Sequence, residues 1–445
     1  MKLQNLIVKY LIIFFSSLTL LPLIPTFSYD YHNHQRIIQV ATLLCISLLL
    51  IINLNTSKNY PKIQNDHIFK YLLAFISLGV IASLFGNEVE FSLMYTFHIL
   101  LLVMATYYVT KLSDKKSILT LIYGLIVAHT ALVLICTLNI VFTLYEQQPL
   151  NRYVIYSGFI NIRFFNQVQV FILPFLILLL KFKSIQRIVF IILFLNLLLM
   201  FIGQARGAIL SFLVICILAL ALKTTLKKQI ITGLISLMLA FLAFYFLDSL
   251  NKGSTEILRT SSSGRLDLWL TTLSNLSLKN IFIGNGPGIF GMSIGSSAPF
   301  SHPHNSIIEV LNEWGGLALL CLLIAVAKTV KKSIYHLKYA KKDIITEAIF
   351  YSFVIGMAYS LFSGVHVMPV SQTLLFLMWG LLLGRIYITQ SVSCKIGNWI
   401  KLVIAILFML ACYLYVNKIL SIYDNIDPEK GYTIGPRFWS VGQRH

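Results

Sequence analysis

Charge is what this sequence has least of. Charged residues make up 11% of its 445 positions, and acids are the scarcer kind, 16 against 35 Lys and Arg. With hydrophobic residues at 58% and a mean hydropathy of +0.82, a soluble globular protein is excluded. Cysteine is sparse too. Cys45, Cys136, Cys216, Cys321, Cys394 and Cys412 lie in or beside apolar runs with no CxxC spacing, so neither a disulfide framework nor a zinc site follows. No fixed-period repeat, low-complexity tract or nucleophile-elbow pattern occurs, which leaves solenoids and serine hydrolases of that type without support.

Long apolar runs are abundant. Segments able to cross a hydrocarbon core, about 20 residues each, fall near 3–24, 36–54, 68–86, 91–109, 117–144, 164–181, 186–203, 207–222, 229–247, 306–327, 344–362, 370–388 and 399–417. The expectation is an all-α integral membrane protein of about 12–13 transmembrane helices, with a large outer loop carrying short helices. Four regions follow: transmembrane helices over 1–247, the loop over 248–303, further transmembrane helices over 304–417, and a tail over 418–445. The first run follows a short basic N-terminus and has no small-residue cleavage site, so it reads as an uncleaved anchor.

The net charge of +19 would suit nucleic acid, but its placement argues for topology. Lysines crowd alternate loops: Lys58, Lys62 and Lys70; Lys111, Lys115 and Lys116; Lys223, Lys227 and Lys228; Lys328, Lys331 and Lys332. By the positive-inside rule these loops are cytoplasmic, and residues 248–303 and the tail face outward. Of the 23 inner cations 21 are lysine, whereas 8 of the 12 outer ones are arginine. Lysine suits lipid headgroups, and the forked guanidinium suits bidentate phosphate binding.

The outward loop ends in Ser301-His302-Pro303-His304-Asn305-Ser306 at the mouth of an apolar run. Proline favours the first helical position, so the expectation makes His302 the cap and puts His304 in the first turn of a span over 306–327. There the helix dipole would keep the imidazole neutral, the form a general base needs, and would attract anions. A histidine that only caps the helix or sits at the interface fits the same residues. Arg206, in Gly203-Gln204-Ala205-Arg206-Gly207, lies between two apolar runs and so near the hydrocarbon boundary, where a charge points to function. Arg163 opens another span from the same side, and Arg265 begins an amphipathic piece over 265–278 with Asp267 and Trp269. A surface salt bridge would also suit Arg265. Glu309 and Glu313 fall about 140° and 180° round a helix from His304 and do not orient it; Asp267, Asp424 and Asp427 are the open alternatives.

Three arginines and a histidine on one face suit a polyprenyl-diphosphate-linked glycan, whose leaving group needs charge neutralised and an acceptor deprotonated. No second pair of metal ligands accompanies the histidines, so neither metal nor cofactor is expected. A flippase or transporter would put charge or broken helices near mid-membrane rather than at one face.

These residues resemble the O-antigen ligase and polymerase family of bacterial envelope glycosyltransferases over roughly 161–316. The resemblance rests on Arg206-Gly207, Ser263-Gly264-Arg265 with Trp269, Gly284-Asn285-Gly286-Pro287-Gly288, and above all His304-Asn305 with Gly315. Ala318 stands where the family's ligases carry Gly, Thr or Tyr. The resemblance implies a transferase at the periplasmic face of the bacterial inner membrane, working without metal or nucleotide on undecaprenyl-diphosphate-linked glycan. His304 is then the essential base, Arg206, Arg265 and Arg163 bind diphosphate, and His302, Asn305 and Gly315 support them. The acceptor is lipid A-core, pilin or another secreted protein, or a growing polymer.

Overall fold

The computed structural model describes residues 31–56, 60–61, 67–112, 115–148, 150, 155–156, 162–250, 264–293, 300–339, 343–387, 391–392, 398–425 and 437–439, with 9, 10, 12 and 13 near the N-terminus. The run near 3–24 lies mostly outside these, as do Ser261-Ser262-Ser263, Cys394 and Asp427. Among the described residues eight bounded helices run before the large loop: α1 (Tyr31–Thr56), α2 (His67–Phe85), α3 (Val89–Val109), α4 (Lys115–Tyr145), α5 (Ile162–Leu179), α6 (Gln186–Ile202), α7 (Arg206–Ala221) and α8 (Lys227–Leu250). The loop carries α9 (Arg265–Ser274), α10 (Leu278–Ile283) and α11 (Phe290–Ser293). Then follow α12 (Ser306–Trp314), α13 (Gly316–Tyr339), α14 (Ile344–Ser360), α15 (Pro369–Ile386) and α16 (Asn398–Asp424).

The protein is an all-helical membrane protein because lipid offers no partners to free backbone groups, and a helix satisfies its own. Among the described residues eight helices are long and apolar enough to span a membrane. The apolar helices α6, α7 and α14 are shorter, at 17, 16 and 17 residues, or about 25 Å. A two-residue β pair, Tyr60–Pro61 antiparallel to Ser391–Val392, joins two lysine-side loops.

One expected span is two helices. Gly315, at φ 84°, breaks the run at 306–327, and a Cβ there would meet the Phe282 carbonyl oxygen at 2.4 Å. The nine-residue α12 is therefore a separate short helix, while α13 turns away and packs along α2.

Burial separates core helices from lipid-facing ones. Of the most apolar window of α5, 94% is buried, against 11% for α16. The polar groups of α5 are spent internally: Asn166 Nδ2 donates to Gln169 Oε1 at 2.7 Å, Gln167 Nε2 to Ser363 Oγ at 2.8 Å and Gln169 Nε2 to the Asn196 carbonyl at 3.0 Å. Helices α14 and α15 complete this centre. Gly356 yields to the Phe171 ring, and Gly380 and Gly384 bring α15 against the Thr106 and Thr110 carbonyls of α3.

The tail is not a peripheral anchor. Phe438 and Trp439 are fully buried and Arg437 is 3% exposed. Arg36, within α1, holds them: its Nε donates to the Phe438 carbonyl at 2.9 Å, and its Nη2 donates to the carbonyls of Val367 at 2.7 Å and Arg437 at 3.1 Å. Arg36 also lies 4.7 Å from the Phe438 ring centroid. The helix before the tail runs on to Asp424, past the expected boundary at 417. Trp439→Ala should cost about 3–5 kcal/mol, seen as a lower thermal midpoint in detergent than wild type, whereas Trp399→Ala, at an exposed site, should leave the midpoint unchanged.

Candidate functional site

The histidine segment lies where α9, α12, α14 and the turn after α14 converge. Asn305, rather than His302, caps α12: its Oδ1 accepts from the backbone of Ile307 at 2.9 Å and Ile308 at 3.2 Å. His304 stands just before the cap in the left-handed region, φ 56°. For a non-glycine residue this backbone is costly and persists only where its surroundings hold it. Three contacts do so. Trp269 Nε1 of α9 donates to the Pro303 carbonyl at 2.7 Å, the His304 backbone N–H donates to His302 Nδ1 at 3.3 Å, and Ser306 Oγ meets Ser360 Oγ at 2.9 Å.

The histidines stack edge to face with ring centroids 4.1 Å apart. Behind them is Gly364, where a Cβ would come within 2.6 Å of His302 Cε1. Because His302 Nδ1 accepts the His304 N–H, the neutral ring of His302 carries its hydrogen on Nε2.

The three expected arginines come together around one turn. A Cβ on Gly207 would meet Tyr359 Cε2 at 3.0 Å and Phe362 Cβ at 3.1 Å, which sets Arg206 at the end of α14. Arg265 Nη1 donates to the Phe362 carbonyl at 2.8 Å, and its Nε is buried with no hydrogen-bond partner among the described residues. Ile162 packs over Gly203, 2.8 Å from where a Cβ would stand, and brings half-buried Arg163 to the same place. Burial first, then the charge of Arg163, lowers the Arg265 pKa to about 10, with Arg206 adding to the effect.

The same charges act on His304. Burial, then Arg163 and Arg265, lower its pKa to about 3, opposed by Glu309. Burial and then His304 hold His302 well below the usual histidine range. The ring is thus neutral at pH 7, though the cause is burial among cations and not a place in the first turn of a helix.

Residues that the sequence reading set aside or missed complete the arrangement. Glu309 was excluded by helical angle, but His304 is off the helix and that angle does not apply. Glu309 Oε1 accepts from Arg437 Nη1, and Glu309 Oε2 lies 2.8 Å from His366 Nε2, in the turn between α14 and α15. Burial would raise the Glu309 pKa, but Arg437 and then His366 bring it down to about 2. Glu313 accepts from Arg437 Nη2 and from the backbone of Gly288 at 2.8 Å and Phe290 at 2.9 Å. The Gly284-Asn285-Gly286-Pro287-Gly288 run is thereby pinned to the end of α12, where Gly284 leaves room for the Glu313 carbonyl. Asp267 is exposed on α9 and Asp424 ends α16, and neither is the acid whose charge reaches His304.

Residues 188–323, under a third of the chain, match the model of the O-antigen ligase family. The match spans Arg206, Arg265, His302, His304, Asn305 and Gly315; Arg163, His366 and Arg437 lie outside it. The matched segment is that of an O-antigen ligase-type membrane glycosyltransferase. No curated protein matches the chain.

The lowered pKa of His304 fixes the sign of a pH effect. Between pH 6.5 and about 3 the unfolded chain binds a proton that the folded histidine refuses. Stability therefore falls as pH drops through that window, and His302 acts in the same direction. His304→Gln should reduce the acid sensitivity of the thermal midpoint between pH 6.5 and 4; an unchanged slope would place the ring in a more polar setting.

Proposed function

We propose that the protein transfers a glycan from undecaprenyl diphosphate to an acceptor at the periplasmic face of the bacterial inner membrane, with lipid A-core as that acceptor. The observation that carries this reading is the gathering of Arg163, Arg206 and Arg265 about His304. A diphosphate leaves readily once its charge is neutralised, and guanidinium forks match its oxygens. His304 is the general base, taking the acceptor hydroxyl proton as the oxygen attacks the anomeric carbon.

His304 is a weak base for a physical reason. Arg163 and Arg265 depress His304, and a bound diphosphate cancels much of their charge, so the base strengthens when the donor is present. His302 supports the His304 backbone, Asn305 caps α12, and Gly315 ends it. Trp269 ties the loop helix α9 to the histidine segment.

Transfer to a serine or threonine of pilin uses the same site, and Ala318 in the ligase motif keeps that reading in view. Reconstitution with a labelled polyprenyl-diphosphate glycan, offering core lipid and pilin in turn, should label core lipid; label on pilin alone would reassign the acceptor. His304→Ala should lower transfer by at least about a hundredfold while the protein stays inserted and abundant. Arg206→Lys should lose activity on the order of a missing charge-stabilising donor, roughly a hundredfold, because a lysine lacks the fork. A phosphatase fused after the tail should be active, as a periplasmic tail requires; a silent fusion would reverse the topology.

A further inference from the structure

The turn between α14 and α15 holds a histidine that this chemistry leaves unused. His366 Nε2 is 2.8 Å from Glu309 Oε2, and its side chain is 15% exposed. Arg437 fixes the other oxygen of that carboxylate and keeps it ionised. Both ring nitrogens of His366 and Glu309 Oε2 are buried, and none of the three forms a hydrogen bond among the described residues, so the 2.8 Å approach is a close pairing of charge rather than an aligned hydrogen bond. Beside an ionised carboxylate, which only accepts, the neutral ring favours its hydrogen on Nε2 and leaves the lone pair on Nδ1. Gln372 Nε2 holds the turn by donating to the His366 carbonyl at 2.7 Å.

His304 lacks any such carboxylate contact. Its Nδ1 is also buried without a hydrogen-bond partner among the described residues, and the charges that act on it most are those of Arg163 and Arg265. Bound diphosphate lets it take a proton, but once the diphosphate departs that proton faces the arginine charge again and has to pass on. A second group whose positive charge is compensated would receive it, and His366 is the histidine seated beside an acid. The two are linked in space through His302, which stacks on His304 and packs against Gly364, two residues before His366.

Resting on the transfer reading above, we propose that His366, oriented by Glu309, is the second proton-carrying group of the site and takes the acceptor's proton on from His304. The acceptor O–H bond breaks toward His304, and the oxygen's electron pair forms the new bond to the anomeric carbon. The bond from that carbon to the diphosphate oxygen breaks, and its pair leaves with the diphosphate. The proton then moves to Nδ1 of His366, where the Glu309 carboxylate balances the imidazolium. The charged and titratable groups around His366, among the described residues, are Glu309 from α12, Arg437 from the tail, Arg36 from α1 at the neighbouring Val367 carbonyl, and His302 and His304 from the loop.

The test uses the full-length protein in vesicles with the labelled polyprenyl-diphosphate glycan and the acceptor that the wild type uses. Transfer is followed from pH 6 to 9 for wild type, His366→Asn and His366→Gln, with and without added imidazole. Both variants should lose at least about tenfold in kcat, keep the donor KM, change the pH profile, and recover in part with imidazole. Wild-type kcat and profile in either variant would overturn the proposal. So would an equal loss in both with an unaltered profile and no rescue, the mark of a purely structural role. Absence of transfer in the wild type would instead remove the transfer reading itself, and this proposal with it.

Discussion

Everything at the histidine end of the molecule depends on one buried cation between two buried acids. Arg437 donates to Glu309 and Glu313, all three nearly inaccessible, in a protein that has few acids to spend. A buried charge deprived of its partner is strongly destabilising, so the cluster acts as a unit. Through Glu313 it holds the glycine-rich run of the loop, and through Glu309 it reaches His366. Through the Arg437 carbonyl it meets Arg36, which also binds the turn at Val367. Loop, tail, first helix and the turn after α14 thus share one electrostatic knot.

Around this knot the site divides into two charge environments. On the side of α5, α7 and α9 the arginines surround neutral imidazoles, a field prepared for an anion. On the side of α12 and the tail, acids outnumber the one arginine they hold. His304 lies between the two, which explains why its basicity responds both to Arg163 and to Glu309. The strained backbone at His304 fits this role, since its left-handed turn takes the ring off the α12 helix toward the arginines.

Much of the architecture could be read in the sequence because apolar length and lysine placement are strong, local signals. Twelve of the thirteen expected runs correspond to described helices, one of them split. The split had a signal in Gly315-Gly316, a helix stop inside an apolar run, which the greasiness of the run concealed. Arg206, Arg265, Arg163 and His304 were legible because each sits at the end of an apolar run, where a polar residue is conspicuous. Arg437, Glu309, Glu313 and His366 were not, because their significance is pairwise across long sequence separations, 128 residues between Arg437 and Glu309. The Asn305 cap was missed because Pro303 offered a competing helix start, and Arg36 because it lies inside an apolar run.

That long separation also sets an order of events in biosynthesis. Glu309 and Glu313 leave the ribosome 128 and 124 residues before the arginine that holds them. At about 5–20 residues per second that is several seconds. During that interval α12 carries two acids whose cation has not yet been made, and an interfacial helix can keep them hydrated where a membrane-buried one cannot. The break at Gly315 separates the acids of α12 from α13, so the two helices need not settle together. The buried cluster is complete only when Arg437 and the aromatic pair beside it arrive.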